Sequence, residues 1–154
     1  MAKGAVETPL DALTYKIIGC AMALHRELGP GLREDTYQRG LEARLSESGL
    51  AFESQKVFEV HADGTLVGYY VPDLVVEGAV VVEIKALDAL DNAHLAQVIS
   101  YLAIAGCRIG LLVNFGARSL GWRRIFPPRA VTAHQANQRW LFVPDWMKIS
   151  RGDN

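Results

Sequence analysis

The chain has 154 residues, half of them hydrophobic and 21% charged, with a formal net charge of −1. A chain of this length is expected to form one core that buries roughly 70% of its unfolded surface without a disulfide or metal staple. Its apolar content excludes disorder for the bulk of it. The balanced total hides a segregation: residues 1–107 carry eight Lys and Arg against fifteen Asp and Glu, whereas residues 108–154 carry eight against two. Such a division suits a phosphate-facing surface, or an acidic half docked on a basic one.

The longest uncharged apolar stretch near the start, residues 17–24, falls far short of the roughly 20 residues a membrane span needs. Glu7 and Asp11 occupy the place of the basic and apolar regions of a secretory signal, so a cytoplasmic location is expected. Cys20 and Cys107 lie in apolar segments without metal-ligand spacing and read as free thiols.

Thr8-Pro9-Leu10-Asp11 opens a first helix, because Pro is tolerated in a first turn and Asp suits the positive helix end. Leu13, Ile17, Cys20, Ala21, Leu24 and Leu28 recur at helical spacing, and Gly29-Pro30-Gly31 stops the helix. A second helix is expected over residues 33–48, with Tyr37, Leu41 and Leu45 on one face and Gly49 as its stop. Val57, Phe58 and Val60 then read as a strand, Asp63-Gly64 as a hairpin turn, and residues 66–76 as one returning strand.

Glu77-Gly78 makes a second turn into residues 79–86. The nearly continuous β-branched run there predicts a strand buried on both faces. Helical spacing returns over residues 90–105 through Leu95, Val98, Ile99 and Leu102 and closes at Gly106. Residues 108–115 and 121–126 read as two more strands, with Asn114-Phe115 a structural strand end. Pro127-Pro128 breaks the chain before a C-terminal extension, 127–154, that holds Trp140 and Trp146. The order α-α-β-β-β-α-β-β predicts an α/β domain with a mixed sheet flanked by helices.

Glu83 and Lys85 are ionisable groups inside an apolar strand, and at i and i+2 they share a face. Burying either charge costs several kcal/mol unless it is paired or holds a metal. A mutual ion pair or a solvated strand end would account for them structurally. Asp73 adds a second carboxylate on the preceding strand. Two carboxylates with a lysine beside them suit Mg²⁺ or Mn²⁺, hard cations that prefer oxygen ligands and can activate a bound water.

Convergence requires a register in which opposed residue numbers sum to an even value. A two-residue Glu77-Gly78 turn gives 155 and opposite faces; a three-residue turn with Gly in the left-handed region, or a bulge near Pro72, gives 156. Glu34 opens the second helix, where an acid also suits the helix dipole. Gln97 and Tyr101 stand at i and i+4 on the third helix and share a face, with His94 three residues before Gln97. Arg123 and Arg124 are candidates for phosphate contact or a solvated pair.

Asp73, Glu83-Ile84-Lys85 and Gln97-x-x-x-Tyr101 resemble the active-site pattern of the PD-(D/E)XK nuclease superfamily. Gly31-x-x-Glu34-x-x-Tyr37 resembles the motif that names its GxxExxY branch, and residues 25–31 and 110–115 are similar to that branch as well. The similarity runs in order over residues 13–126.

The resemblance implies a restriction-endonuclease-like core in which Asp73, Glu83 and Glu34 hold Mg²⁺ or Mn²⁺ and Lys85 positions the attacking water. It further implies that Gln97 orients the site or contacts substrate, with Tyr101 packed beside it. The expected activity is metal-dependent hydrolysis of nucleic acid, with DNA the favoured substrate; a homodimer would let two sites cut both strands. The alternative is a non-catalytic nucleic-acid- or protein-binding module on the same scaffold.

Overall fold

The structure, a computed structural model, describes residues 9–127. The C-terminal extension beyond residue 127, with Trp140 and Trp146, lies outside the described residues. Two helices come first, α1 (Pro9–Leu28) and α2 (Glu34–Glu47). Five strands follow: β1 (Phe52–Glu53), β2 (Phe58–Ala62), β3 (Thr65–Tyr70), β4 (Leu74–Val76) and β5 (Val80–Lys85). Helix α3 (Asn92–Ala105) then leads to β6 (Ile109–Asn114) and β7 (Gly121–Ile125). The fold is an α/β arrangement on a mixed sheet, as the sequence predicts.

The principal sheet has the order β1-β4-β5-β6-β7, with β5 and β6 parallel and every other neighbouring pair antiparallel. The parallel pair needs a crossover, and α3 supplies it. Strand β5 sits in the middle, with residues 80–84 all buried, as its β-branched run predicts. Val80, Val82 and Ile84 face α1 and α2, where they join Ile17, Leu24, Tyr37, Leu41 and Leu45 in the larger core. Val81 faces the other way, into a smaller core with Val98 and Leu102 of α3 and Leu112 of β6. Glu83 and Lys85, two and four residues on, share the face of Val81.

Strands β2 and β3 form a separate two-stranded sheet through the Asp63-Gly64 turn, whose φ values of 49° and 81° are those the turn type requires. One expectation is corrected here. Residues 66–76 are not a single strand; the chain leaves the small sheet after Tyr70 and enters the large one at Leu74. Pro72 explains the break, since it has no N–H to donate to a ladder. The short edge strand β1 was not foreseen; its two residues pair with Val76 and Val75 of β4.

The register that carries Asp73 is settled at the next turn. Leu74 pairs with Val82, Val75 with Val81 and Val76 with Val80, so paired numbers sum to 156. Three residues, 77–79, lie between the last pair, and Gly78 has a φ of 63°. Asp73, one residue before β4, therefore stands opposite Glu83.

Candidate active site

Two carboxylates meet at the C-terminal end of β5. Asp73 Oδ2 accepts a hydrogen bond from the backbone N–H of Ile84 at 2.7 Å. That N–H lies between Glu83 and Lys85 in the chain, so the bond ties Asp73 to the strand that carries the other two groups. On the other side, Gln38 Nε2 of α2 donates to the backbone carbonyl of Asp73 at 3.0 Å. Asp73 is thus held from β5 and from α2, which fixes its position where the ladder has not yet begun.

Glu83 is only 7% exposed. Its Oε1 accepts a hydrogen bond from the Tyr70 hydroxyl at 2.6 Å. Burial and the neighbouring Asp73 carboxylate push Glu83 up to about 7, against the opposing effects of Tyr70, Lys85 and the Asp73 backbone. The Tyr70 hydroxyl is driven far above its ordinary value by burial and by Glu83, so it stays a donor. Lys85 is half-buried on the same face, and among the described residues it forms no ion pair. The mutual ion pair that would account for Glu83 and Lys85 structurally is not formed.

Tyr101 of α3 stacks on Tyr70, with ring centroids 3.9 Å apart and planes at 17°. Burial, Glu83 and Asp73 all raise the Tyr101 hydroxyl, which places that ring close to both acids. Gln97, one turn earlier on α3, is exposed. Asn114 closes the floor of the site: its Oδ1 accepts from Leu87 N at 2.9 Å and its Nδ2 donates to Leu87 O at 2.9 Å. Gly116 completes this clamp, because a Cβ there would collide with the backbone of Ala86 and Leu87. The segment directly after Lys85 is thereby pinned to the end of β6.

Other candidates sit elsewhere. Glu34 begins α2 and is exposed, and among the described residues no group of three or more His, Cys, Asp or Glu that could hold a metal is found. Among the described residues the carboxylates seen to meet are thus Asp73 and Glu83. Gly31 and Tyr37 have structural work: Gly31 adopts a φ of 102°, and the Tyr37 hydroxyl donates to Gly29 O at 2.5 Å and accepts from Leu32 N at 3.2 Å. The Tyr37 ring stacks on Phe115 at 4.6 Å.

His94 caps α3. Its Nδ1 accepts from Asp91 N at 3.2 Å, and its own N–H donates to Asp91 Oδ1 at 3.0 Å, so its polar groups serve the helix start. Arg123 pairs with Leu112, which in turn pairs with Glu83, so Arg123 lies on the site's face two strands away. Arg124 is turned to the opposite face, where its guanidinium lies 4.5 Å from the Tyr15 ring centroid and 5.8 Å from that of Trp122. That orientation turns Arg124 away from the face that carries Glu83 and Lys85. Cys20 and Cys107 are free, and burial pushes the Cys107 thiol up to about 11, which leaves it unreactive.

Sequence reasoning missed Tyr70 and Gln38. Tyr70 alternates with exposed Tyr69 on β3 and reads as an ordinary inward strand aromatic; only the three-residue spacing to Asp73 hinted at more.

A family model for the PD-(D/E)XK nuclease superfamily matches residues 11–125. The crystal structure of SSO0001 is similar in fold, with a TM-score of 0.50 and 20% sequence identity, over 65% of this chain and 55% of that one. The chain thus spans little more than half the length of that structure. No curated protein matches the chain.

Proposed function

This chain belongs to the PD-(D/E)XK nuclease superfamily, and from that premise we propose that it is a divalent-metal-dependent phosphodiesterase that hydrolyses nucleic acid, DNA in preference, in the manner of the GxxExxY branch. The observation that carries the reading is the register that sets Asp73 opposite Glu83 on the face shared by Lys85. Two carboxylates at close quarters, one of them buried and forced up to about 7, form a donor set that a hard dication would relieve.

The hydrogen bonds from Ile84 N and Tyr70 OH engage Asp73 Oδ2 and Glu83 Oε1. Asp73 Oδ1 and Glu83 Oε2 are then the atoms offered to Mg²⁺ or Mn²⁺. The bound ion would lower the pKa of a water ligand and stabilise charge on the phosphoryl oxygens. With the ion bound, Lys85 would supply an ammonium on the same face to orient the nucleophile and offset charge developing on the phosphate. Gln97, on the exposed face of α3 one turn from Tyr101, contacts substrate. Arg123 is placed to take a flanking phosphate, a contact that adds affinity without sequence information.

Glu34 acts, in this reading, only when substrate or an outer-sphere water spans from α2 to the carboxylates. The second reading, a binding module without catalysis, draws support from the two-carboxylate count among the described residues. The two readings separate in a cleavage assay on single- and double-stranded DNA and RNA with Mg²⁺ or Mn²⁺. The catalytic reading expects cutting by the wild-type chain and loss of it in Glu83→Ala and Lys85→Ala. Equal degradation by all three proteins, or metal-independent binding with no cutting by any, would overturn it.

A further inference from the structure

The two carboxylates are held in matching ways. Asp73 has one oxygen fixed by a backbone N–H, from Ile84, and the other outside that bond. Glu83 has one oxygen fixed by a phenol, from Tyr70, and the other outside that bond. A backbone donor cannot turn away, whereas a phenol can, unless its ring is locked.

The Tyr70 ring is locked. Tyr101 of α3 covers it at 3.9 Å, and Phe58 of β2 lies 6.1 Å away on a tilt of 26°. Tyr70 itself is 6% exposed. The donor therefore comes from the small sheet, the ring's support from α3, and the acceptor from the large sheet. Glu83 needs such a restraint more than Asp73 does, because its longer side chain has one more rotatable bond and the Asp73 backbone acts on it less strongly than the Tyr70 hydroxyl does.

We propose that Tyr70 is a positioning residue for Glu83: its hydroxyl holds Oε1 so that Oε2 is directed to the divalent cation, and Tyr101 acts on the metal site through the Tyr70 ring. The inference rests on the metal-dependent reading above and assigns a role to a residue outside the Asp-Glu-Lys pattern. It also gives Tyr101 a mechanical function without contact with the ion. Outer hydrogen bonds of this kind typically contribute 10- to 100-fold in metal affinity.

The test is Mn²⁺ titration by calorimetry on the wild-type chain, Tyr70→Phe, Tyr101→Leu and Leu45→Val. Tyr70→Phe keeps the stacked ring and removes only the hydroxyl; it is expected to weaken Mn²⁺ binding about 10-fold. In cleavage assays the half-saturating Mn²⁺ concentration should rise by a similar factor, with kcat at saturating metal nearly restored. Tyr101→Leu should weaken binding in the same direction and by less, which keeps the idea testable if Tyr70→Phe fails to fold. Leu45→Val, on the far face, should lower the melting temperature and leave affinity alone. Wild-type affinity in Tyr70→Phe or Tyr101→Leu, with Mn²⁺ bound by the wild type, overturns this inference and leaves the metal reading standing. No Mn²⁺ bound by the wild type overturns both.

Discussion

The two faces of β5 do different work with the same six residues. On the α1/α2 face, Val80, Val82 and Ile84 are at most 1% exposed and join Tyr37, Leu41 and Phe115 in a hydrophobic core layer. On the α3 face, Val81 begins an apolar contact that gives way to Glu83 and then Lys85 toward the strand's C-terminal end. The first face makes stability; the second sacrifices some of it by burying a carboxylate beside another. Alternation at period two lets one strand do both. The face that costs stability is where chemistry should be sought.

The largest expected effect tests that division directly. Glu83→Gln should reduce cleavage by about 1,000-fold or more, by analogy with the loss of other groups that act on transition-state charge, while the melting temperature at pH 8 rises. The rise follows from the sign of the shift. Glu83 is raised from 4.5 to about 7 in the fold, so the native state binds more protons than the unfolded chain between those values. The contribution of Glu83 to stability is therefore greatest below about pH 4.5, falls between there and about 7, and stays reduced above it. Thermal melts from pH 5 to 8 should show the descent in wild type and its absence in Glu83→Gln. A descent of equal size in both proteins would break the contrast between the faces.

On the opposite face the expected pattern inverts. Leu41→Ala should cost about 2–5 kcal/mol through lost burial and a residual cavity, measured by denaturant unfolding, with Mn²⁺ affinity unchanged in the folded fraction. Next in size is Gly116→Ala. Its new Cβ meets the backbone of Ala86 and Leu87, so the clamp after Lys85 must shift, and cleavage should fall more than stability does. The smallest effect belongs to Tyr37→Phe, which loses one donated and one accepted hydrogen bond in the α1–α2 turn. About 1–2 kcal/mol of stability should go with them, read by chemical unfolding, and activity should follow stability alone.

What was legible in the sequence follows the same line. The buried β5 strand was legible because four β-branched residues in a run of six leave almost no other home, and its two charges stood out against them. The even register was legible as a requirement, and the left-handed Gly78 meets it. The change of sheet between Tyr70 and Leu74 was not legible, because Val71 before Pro72 and Leu74 after Asp73 read as parts of one apolar run. Tyr70 was hidden for a related reason: an inward aromatic on a strand has the same pattern whether it fills a core or donates to a carboxylate. Glu34 shows the reverse case. A motif position suggested convergence, yet the start of α2 leaves that side chain exposed. Arg124 was indistinguishable from Arg123 by composition, and only the strand's alternation sends the two to opposite faces.

The most direct measurement is anomalous diffraction from crystals of the wild-type chain soaked with Mn²⁺. A peak about 2.1 Å from both Asp73 Oδ1 and Glu83 Oε2, the distance expected for a small octahedral dication, is the predicted result. Mn²⁺ density confined to other carboxylates, with Asp73 and Glu83 bare at saturating metal, would contradict the account.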